Sequence, residues 1–127
     1  MVGITKIVND YNTSDGTCIR DFIHVVDLAK AHVSALNLLQ KQENDNYYDV
    51  FNVGTGRGST VLELIETFEQ VNDVKVNYEF GTRRAGDIEK IYGNVNKANE
   101  IMNWKAKYTL EESLQDAWRW ELELKNN

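Results

Sequence analysis

The chain has 127 residues, 42% hydrophobic and 27% charged, which is the length of one domain with an ordinary globular composition and enough apolar surface to bury a core. Fourteen basic residues against twenty acidic ones give a formal charge of −6, which argues against nucleic acid or an anionic membrane as a partner. No apolar run approaches the roughly twenty residues of a membrane span, and no basic-then-apolar leader opens the chain. The single cysteine, Cys18, excludes an internal disulfide framework and a Cys-rich zinc module, so a reducing, cytoplasmic setting is expected. Proline is absent where average usage would give about six, which reads as genomic composition bias.

Residues 9–18 form a polar, turn-rich loop. Over 20–26 the residues alternate, with Phe22, His24 and Val26 on one side and Ile23 and Val25 on the other, the pattern of a short strand. From 26 to 39 the period becomes helical: Leu28, Ala29, His32, Ala35, Leu36 and Leu39 share one stripe, with Asp27 near the positive end. A charged loop over 41–46 precedes a strand expected at 47–53, apolar on both sides except Asp49 and Asn52. Gly54-Thr55-Gly56-Arg57-Gly58-Ser59 is a flexible turn, and Thr60 with Glu63 makes a capping box for a helix bearing Val61, Leu64, Ile65, Phe68 and Val71. Val74, Val76, Tyr78 and Phe80 alternate with polar residues as a half-buried strand. A loop over 81–93 follows, then a short helix outlined by Val95, Ala98, Ile101 and Met102. Thr109 and Glu112 open a last helix with Leu110, Leu114, Ala117, Trp118 and Leu122 inward. Strands and helices alternate, so the class is α/β. Three strands make a thin sheet, which suggests a piece of something larger.

Several groups invite a functional reading. The Gly-rich turn between a strand and a capped helix resembles a phosphate cradle, but its spacing is not G-x-G-x-x-G, and Asp73 precedes the next strand instead of ending it. A tight turn admitting a close neighbour is favoured. In Arg83-Arg84-Ala85-Gly86-Asp87 a guanidinium can bind a phosphate bidentately and a carboxylate can accept from a ribose hydroxyl. On spacing alone, a solvated turn with a local ion pair is favoured. Arg20-Asp21, at the entry to an apolar segment, is either a structural pair or a ligand site. His32 is expected to be a hydrogen-bonded core residue, and His24 either faces a site or packs in the sheet. Cys18, His24 and His32 do not have a metal-site spacing. Tyr47, Tyr48, Trp118 and Trp120 are expected to be packing residues.

The run Asp15-Gly16-Thr17-Cys18-Ile19-Arg20-Asp21-Phe22-Ile23-His24-Val25-Val26-Asp27-Leu28-Ala29-Lys30-Ala31-His32 resembles the UDP-glucose 4-epimerases, members of the extended short-chain dehydrogenases. The resemblance continues at Phe51-Asn52-Val53-Gly54-Thr55-Gly56, at Ser59-Thr60-Val61-Leu62-Glu63, at Arg83-Arg84-Ala85-Gly86-Asp87, and at Asn103-Trp104 with Thr109-Leu110-Glu111-Glu112. It covers residue 8 to the end, in order. It implies that 1–127 is a C-terminal substrate-binding region, a small mixed sheet with helices, without the NAD-binding N-terminal region. It further implies that Arg20 and Arg84 bind the UDP diphosphate, that Asp87 contacts the ribose, and that Val61 lines the nucleotide pocket. Ile91 takes a position that influences which hexose fits, so N-acetylated sugars stay open. Thr82 stands where a proline is common, and Ala85 where a glutamate is frequent.

The family's base is a tyrosine with a lysine four residues later. None of Tyr11, Tyr47, Tyr48, Tyr78, Tyr92 and Tyr108 has that lysine. The expectation is therefore a fragment of an NAD-dependent enzyme that interconverts UDP-galactose and UDP-glucose, catalytically silent alone. Its uncovered apolar surface would favour self-association. The alternatives are another sugar-nucleotide enzyme of the same fold or a non-catalytic sugar-nucleotide binding module.

Overall fold

Side-chain caps set three of the four helix starts in the computed structural model, which describes residues 2–3, 6–44 and 46–126. Met1, Ile4, Thr5, Asn127 and, within the loop expected at 41–46, Asp45 lie outside the described residues. In chain order the elements are β1 (Val2–Gly3), β2 (Ile19–Arg20), α1 (Val25–Gln40), β3 (Ser59–Thr60), α2 (Val61–Asn72), β4 (Val76–Asn77), β5 (Lys90–Ile91), α3 (Asn96–Ile101) and α4 (Leu110–Asn126). Both predicted capping boxes form. Thr60 Oγ1 accepts from the Glu63 N–H at 3.0 Å while Glu63 accepts from the Thr60 N–H at 3.3 Å. Thr109 and Glu112 make the same exchange at 3.2 and 2.8 Å.

The strands are short and fall into two small sheets. In one, β1 and β4 run parallel, extended by a bridge between Ile7 and Phe80. In the other, the order is β3-β2-β5, with β2 antiparallel to β3 and parallel to β5. Arg20 thus lies between Ser59 and Ile91. One core gathers Ala31, Ala98, Met102 and Trp104, backed by Phe51 and Val53; a second gathers Ile7, Ile65 and Val76 under Phe68. Helix α4 packs on α2, with Trp118 edge-on to Phe68 at 5.6 Å.

Several sequence expectations need correction; among them, the loop expected over 81–93 contains β5. The strand expected over 20–26 ends at Arg20, because His24 caps α1: its Nδ1 accepts from the Val26 N–H at 2.9 Å, and Val25 and Val26 are helical. The alternation there belongs to a cap approach, not to a ladder. The segment 47–53 is extended, but no strand is assigned to it among the described residues. Tyr47, Asp49, Phe51 and Val53 turn inward, whereas Tyr48 is 85% exposed and Val50 61%. The inner face of helix α1 is rotated away from its expected stripe and shares only Ala35 with it. Asp27 and Ala31 are buried, while Leu36 and Leu39 are 59% and 51% exposed and His32 is exposed, its Nδ1 satisfied by Leu28 O at 2.8 Å. The small Ala31 side chain lets α3 and Trp104 approach closely, so the inner face is the Asp27–Ala31 side. Helix α1 is then apolar on two faces, which is how a helix covered on both sides reads. Finally, Trp120 is 62% exposed, so neither it nor Tyr48 packs in a core, and the inner face of α4 is Leu110, Leu114 and Trp118, without Ala117 and Leu122.

Asp27 ties α1 to the segment before α4. Its carboxylate is 1% exposed, and Oδ2 accepts from the N–H groups of Lys107 and Tyr108 at 2.8 and 2.9 Å. On the same side His24 stacks on Tyr108 at 4.1 Å between centroids and donates Nε2–H to Asp116 at 3.1 Å, because its Nδ1 is already an acceptor. Removing the Asp27 carboxylate orphans two backbone donors. At about 1–3 kcal/mol for a buried unsatisfied group, Asp27→Ala should lower urea-derived stability by about 2–4 kcal/mol. A loss below about 0.5 kcal/mol would show that the contact is not structural.

Candidate functional site

The Gly-rich turn is held from within. The Asp21 carboxylate accepts from the N–H groups of Thr55 and Gly56 at 3.0 and 2.9 Å and from the Thr55 hydroxyl at 2.6 Å. A Cβ at Gly54 would lie 2.5 Å from Asp21 Oδ2, which explains a glycine there. At the start of α2, Val61 N–H donates to Cys18 O at 3.1 Å, Leu62 N–H to Thr17 Oγ1 at 3.1 Å, and Glu63 N–H to Thr60 Oγ1. The donors that would cradle a dinucleotide pyrophosphate are therefore already taken. This turn does not fit NAD. Of the two open readings of Arg20-Asp21, the acid is structural.

Asp15, which the sequence analysis did not single out, organises the helix start. It accepts from Thr17 N–H at 2.8 Å, Thr17 Oγ1 at 2.7 Å and Thr60 Oγ1 at 2.5 Å. Each hydroxyl donates to the carboxylate and so keeps its lone pairs for an N–H of α2. The signal was legible as Asp-Gly-Thr, an Asx turn whose glycine takes φ +82. Gly16 has no alternative, since a Cβ would lie 2.2 Å from Asn9 O.

The structure brings three of the five predicted site residues together. Arg20 is half-buried in the central strand β2, Ile91 pairs with it from β5, and Val61 opens α2 directly after β3. Arg20 Nη1 donates to Ile19 O at 2.8 Å. Arg84 and Asp87 stand on the exposed loop 81–89 that leads into β5. Their turn is closed by Asp87 N–H to Arg84 O at 3.3 Å, with Gly86 at φ +85.

The preceding arginine is engaged differently. Arg83 Nε donates to Asp10 Oδ1 at 2.7 Å, its Nη2 to Asp10 O at 2.5 Å, and its guanidinium lies 4.2 Å over the Tyr11 ring. The Asp10 hydrogen bond raises the Arg83 pKa further. Tyr11 is buried; burial pushes its phenol up and the charge of Asp87 adds to this.

A hollow of about 400 Å³ lies elsewhere, among Phe22, Thr55, Arg57, Ser59 and Tyr108. It contains none of the five predicted residues. Among the described residues no cluster of His, Cys, Asp or Glu could hold a metal, and no helix is long and apolar enough to cross a membrane.

The GDP-mannose 4,6 dehydratase family model matches residues 4–117. A UDP-glucose 4-epimerase of Bacillus subtilis is 48% identical over 113 residues, covering 89% of this chain and 32% of that protein. One from Cyamopsis tetragonoloba is 46% identical over 117 residues, with 92% and 33% covered. The Stenotrophomonas maltophila UDP-glucose 4-epimerase, solved with NAD and a formylated UDP-arabinopyranose, superposes with a TM-score of 0.90 at 38% identity over 96% of this chain and 36% of that one. The Bifidobacterium longum enzyme, solved with NAD+ and UDP, gives 0.88 at 35% identity over 99% and 36%. The chain spans about a third of the length of these relatives.

Burial alone would raise the Asp15 carboxyl, but the hydrogen bonds from Thr60 and Thr17 outweigh it and hold the pKa below its ordinary 3.8. A carboxylate depressed on folding stabilises above its unfolded pKa, and that contribution disappears as pH falls through the folded value. Asp15→Asn should therefore lower Tm at pH 7 and flatten the drop in Tm between pH 5 and about pH 2. A variant that melts in parallel with the unaltered chain over that range would contradict the assignment.

Proposed function

The chain belongs to the GDP-mannose 4,6 dehydratase family, and on that premise we propose that it is the C-terminal, substrate-binding portion of a UDP-glucose 4-epimerase. The observation that carries the proposal is identity of 43–48% to UDP-glucose 4-epimerases across about nine-tenths of the chain. In this reading Arg20 and Arg84 hold the diphosphate of a UDP-sugar through bidentate, charge-assisted hydrogen bonds. Asp87 accepts from a ribose hydroxyl, Val61 lines the nucleotide pocket, and Ile91, on the edge strand beside Arg20, shapes the hexose site. The parent enzyme uses NAD, which supplies the hydride acceptor at the sugar. The Gly-rich turn here does not fit it, and no tyrosine of this chain is followed by the family's lysine. This chain's own task is to bind and orient the nucleotide. A reducing, cytoplasmic setting fits its single free thiol.

The second, outer face of α1 and the unpaired 47–53 segment support the same reading. Val33 and Leu36 of α1 are 57% and 59% exposed, and Tyr48 and Val50 stand outward on the extended segment. We assign these surfaces to contact with the part of the epimerase that has no counterpart here. An exposed apolar patch on an isolated chain drives association. Sedimentation of this chain should thus show concentration-dependent self-association, weakened by Val33→Lys with Leu36→Lys; a strict monomer at millimolar concentration would contradict it.

The direct test is a chimera in which this chain replaces the matching 113 residues of the Bacillus subtilis epimerase. It should convert UDP-galactose to UDP-glucose, whereas this chain alone with NAD should not. Arg84→Ala in the chimera should raise KM by at least about tenfold, the loss of one charge-assisted contact. A folded, NAD-loaded chimera with no activity on UDP-galactose would sink the proposal.

A further inference from the structure

We propose that Arg83 is the positioning residue of the nucleotide loop: it clamps segment 81–89 onto segment 9–18 so that Arg84 and Asp87 are presented, and it does not itself bind the phosphate. The tandem arginines look equivalent in sequence, but the structure separates them. The Nε/Nη2 edge of Arg83 is taken by Asp10, whose carboxylate also neutralises its charge, and its face rests on the Tyr11 ring. The Arg84 guanidinium has no partner among the described residues, and only the backbone carbonyl of Arg84 is engaged, by Asp87 N–H. It is the arginine with an uncompensated charge.

The clamp has a firm base. Tyr11 is 6% exposed, and its own N–H donates to Gly16 O at 2.9 Å, in the loop that Asp15 organises. Two further ties hold the far end of the loop: Asn12 N–H donates to Glu89 Oε2 at 3.0 Å from the same segment, and Ile19 N–H donates to Glu89 O at 2.9 Å from β2. Loop 81–89 is therefore pinned at Arg83 and again at Glu89, and the residues between carry the candidate ligands. Gly86, at φ +85 and with nothing within 4 Å of a Cβ built on it, bends that stretch outward. The Asp10 and Arg83 side chains are 64% and 47% exposed, and an ion pair this open adds little to global stability. Its effect is on loop order, where a stability measurement hardly registers it.

The functional half of this proposal rests on the nucleotide reading above; the clamp does not. Two measurements separate them. The first is amide hydrogen exchange on this chain without ligand. Arg83→Ala should accelerate exchange at Ile19 and Gly81 several-fold, Arg84→Ala should leave it unchanged, and Arg83→Lys should restore part of the protection. The second is titration of the chimera with UDP at several salt concentrations. Arg84→Ala should weaken binding and reduce its salt dependence, because a direct phosphate contact is lost. Arg83→Ala should weaken binding about tenfold with the salt dependence unchanged. Unchanged exchange in Arg83→Ala overturns the clamp, and a salt dependence reduced as in Arg84→Ala overturns the positioning role. Accelerated exchange in Arg83→Ala beside a folded chimera that does not bind UDP would sink the nucleotide reading and leave the clamp standing.

Discussion

The arrangement around β2 hangs on one carboxylate. Asp15 takes the hydroxyl protons of both Thr17 and Thr60, which forces each oxygen to accept from the start of α2 instead of donating elsewhere. The negative charge sits at the positive end of that helix, where its dipole favours an anion. With α2 fixed, β3 lies against β2, and Arg20 is held between Ser59 and Ile91. The candidate nucleotide groups are thus mounted on a small polar network more than on the apolar cores.

Acidic side chains do most of the local fixing in this chain. Asp15 sets the start of α2, Asp21 fills the Gly-rich turn, Asp27 joins α1 to the approach of α4, and Asp10 holds Arg83. Three of these four accept backbone N–H groups, the most common unsatisfied donors of loops and helix starts. The excess of acidic over basic residues is in part this structural demand. A chain without proline needs other means of fixing its turns, and hydrogen-bonded carboxylates supply them here.

The capped elements were legible in the sequence because their signals are local. Thr60 with Glu63 and Thr109 with Glu112 specify helix starts through contacts three residues apart, and both helices begin where those pairs place them. Only one strand was plainly legible, because a ladder needs a partner: the alternation over 74–80 holds β4 and the Phe80 bridge. The pattern of 47–53 suits a strand, but no ladder forms there among the described residues. Conversely, Lys90–Ile91 lay in a segment read as loop and becomes β5 only because β2 is beside it. The inner stripe of α1 is not legible for a related reason: a helix apolar on both sides gives no single direction, and packing against Ala98 and Trp104 decides it. At the site, the residue types of Arg83 and Arg84 are identical, so only the position of Asp10, 73 residues away, tells them apart.

The central proposal is that Arg20, on β2, and Arg84, on the loop that leads into β5, hold one diphosphate. A crystal structure of the Bacillus subtilis chimera with UDP tests it most directly. It should show both guanidinium groups on the phosphates, Asp87 on the ribose, and Arg83 still against Asp10. A nucleotide seated instead in the hollow of Phe22, Arg57 and Tyr108, with Arg84 turned to solvent, would contradict it.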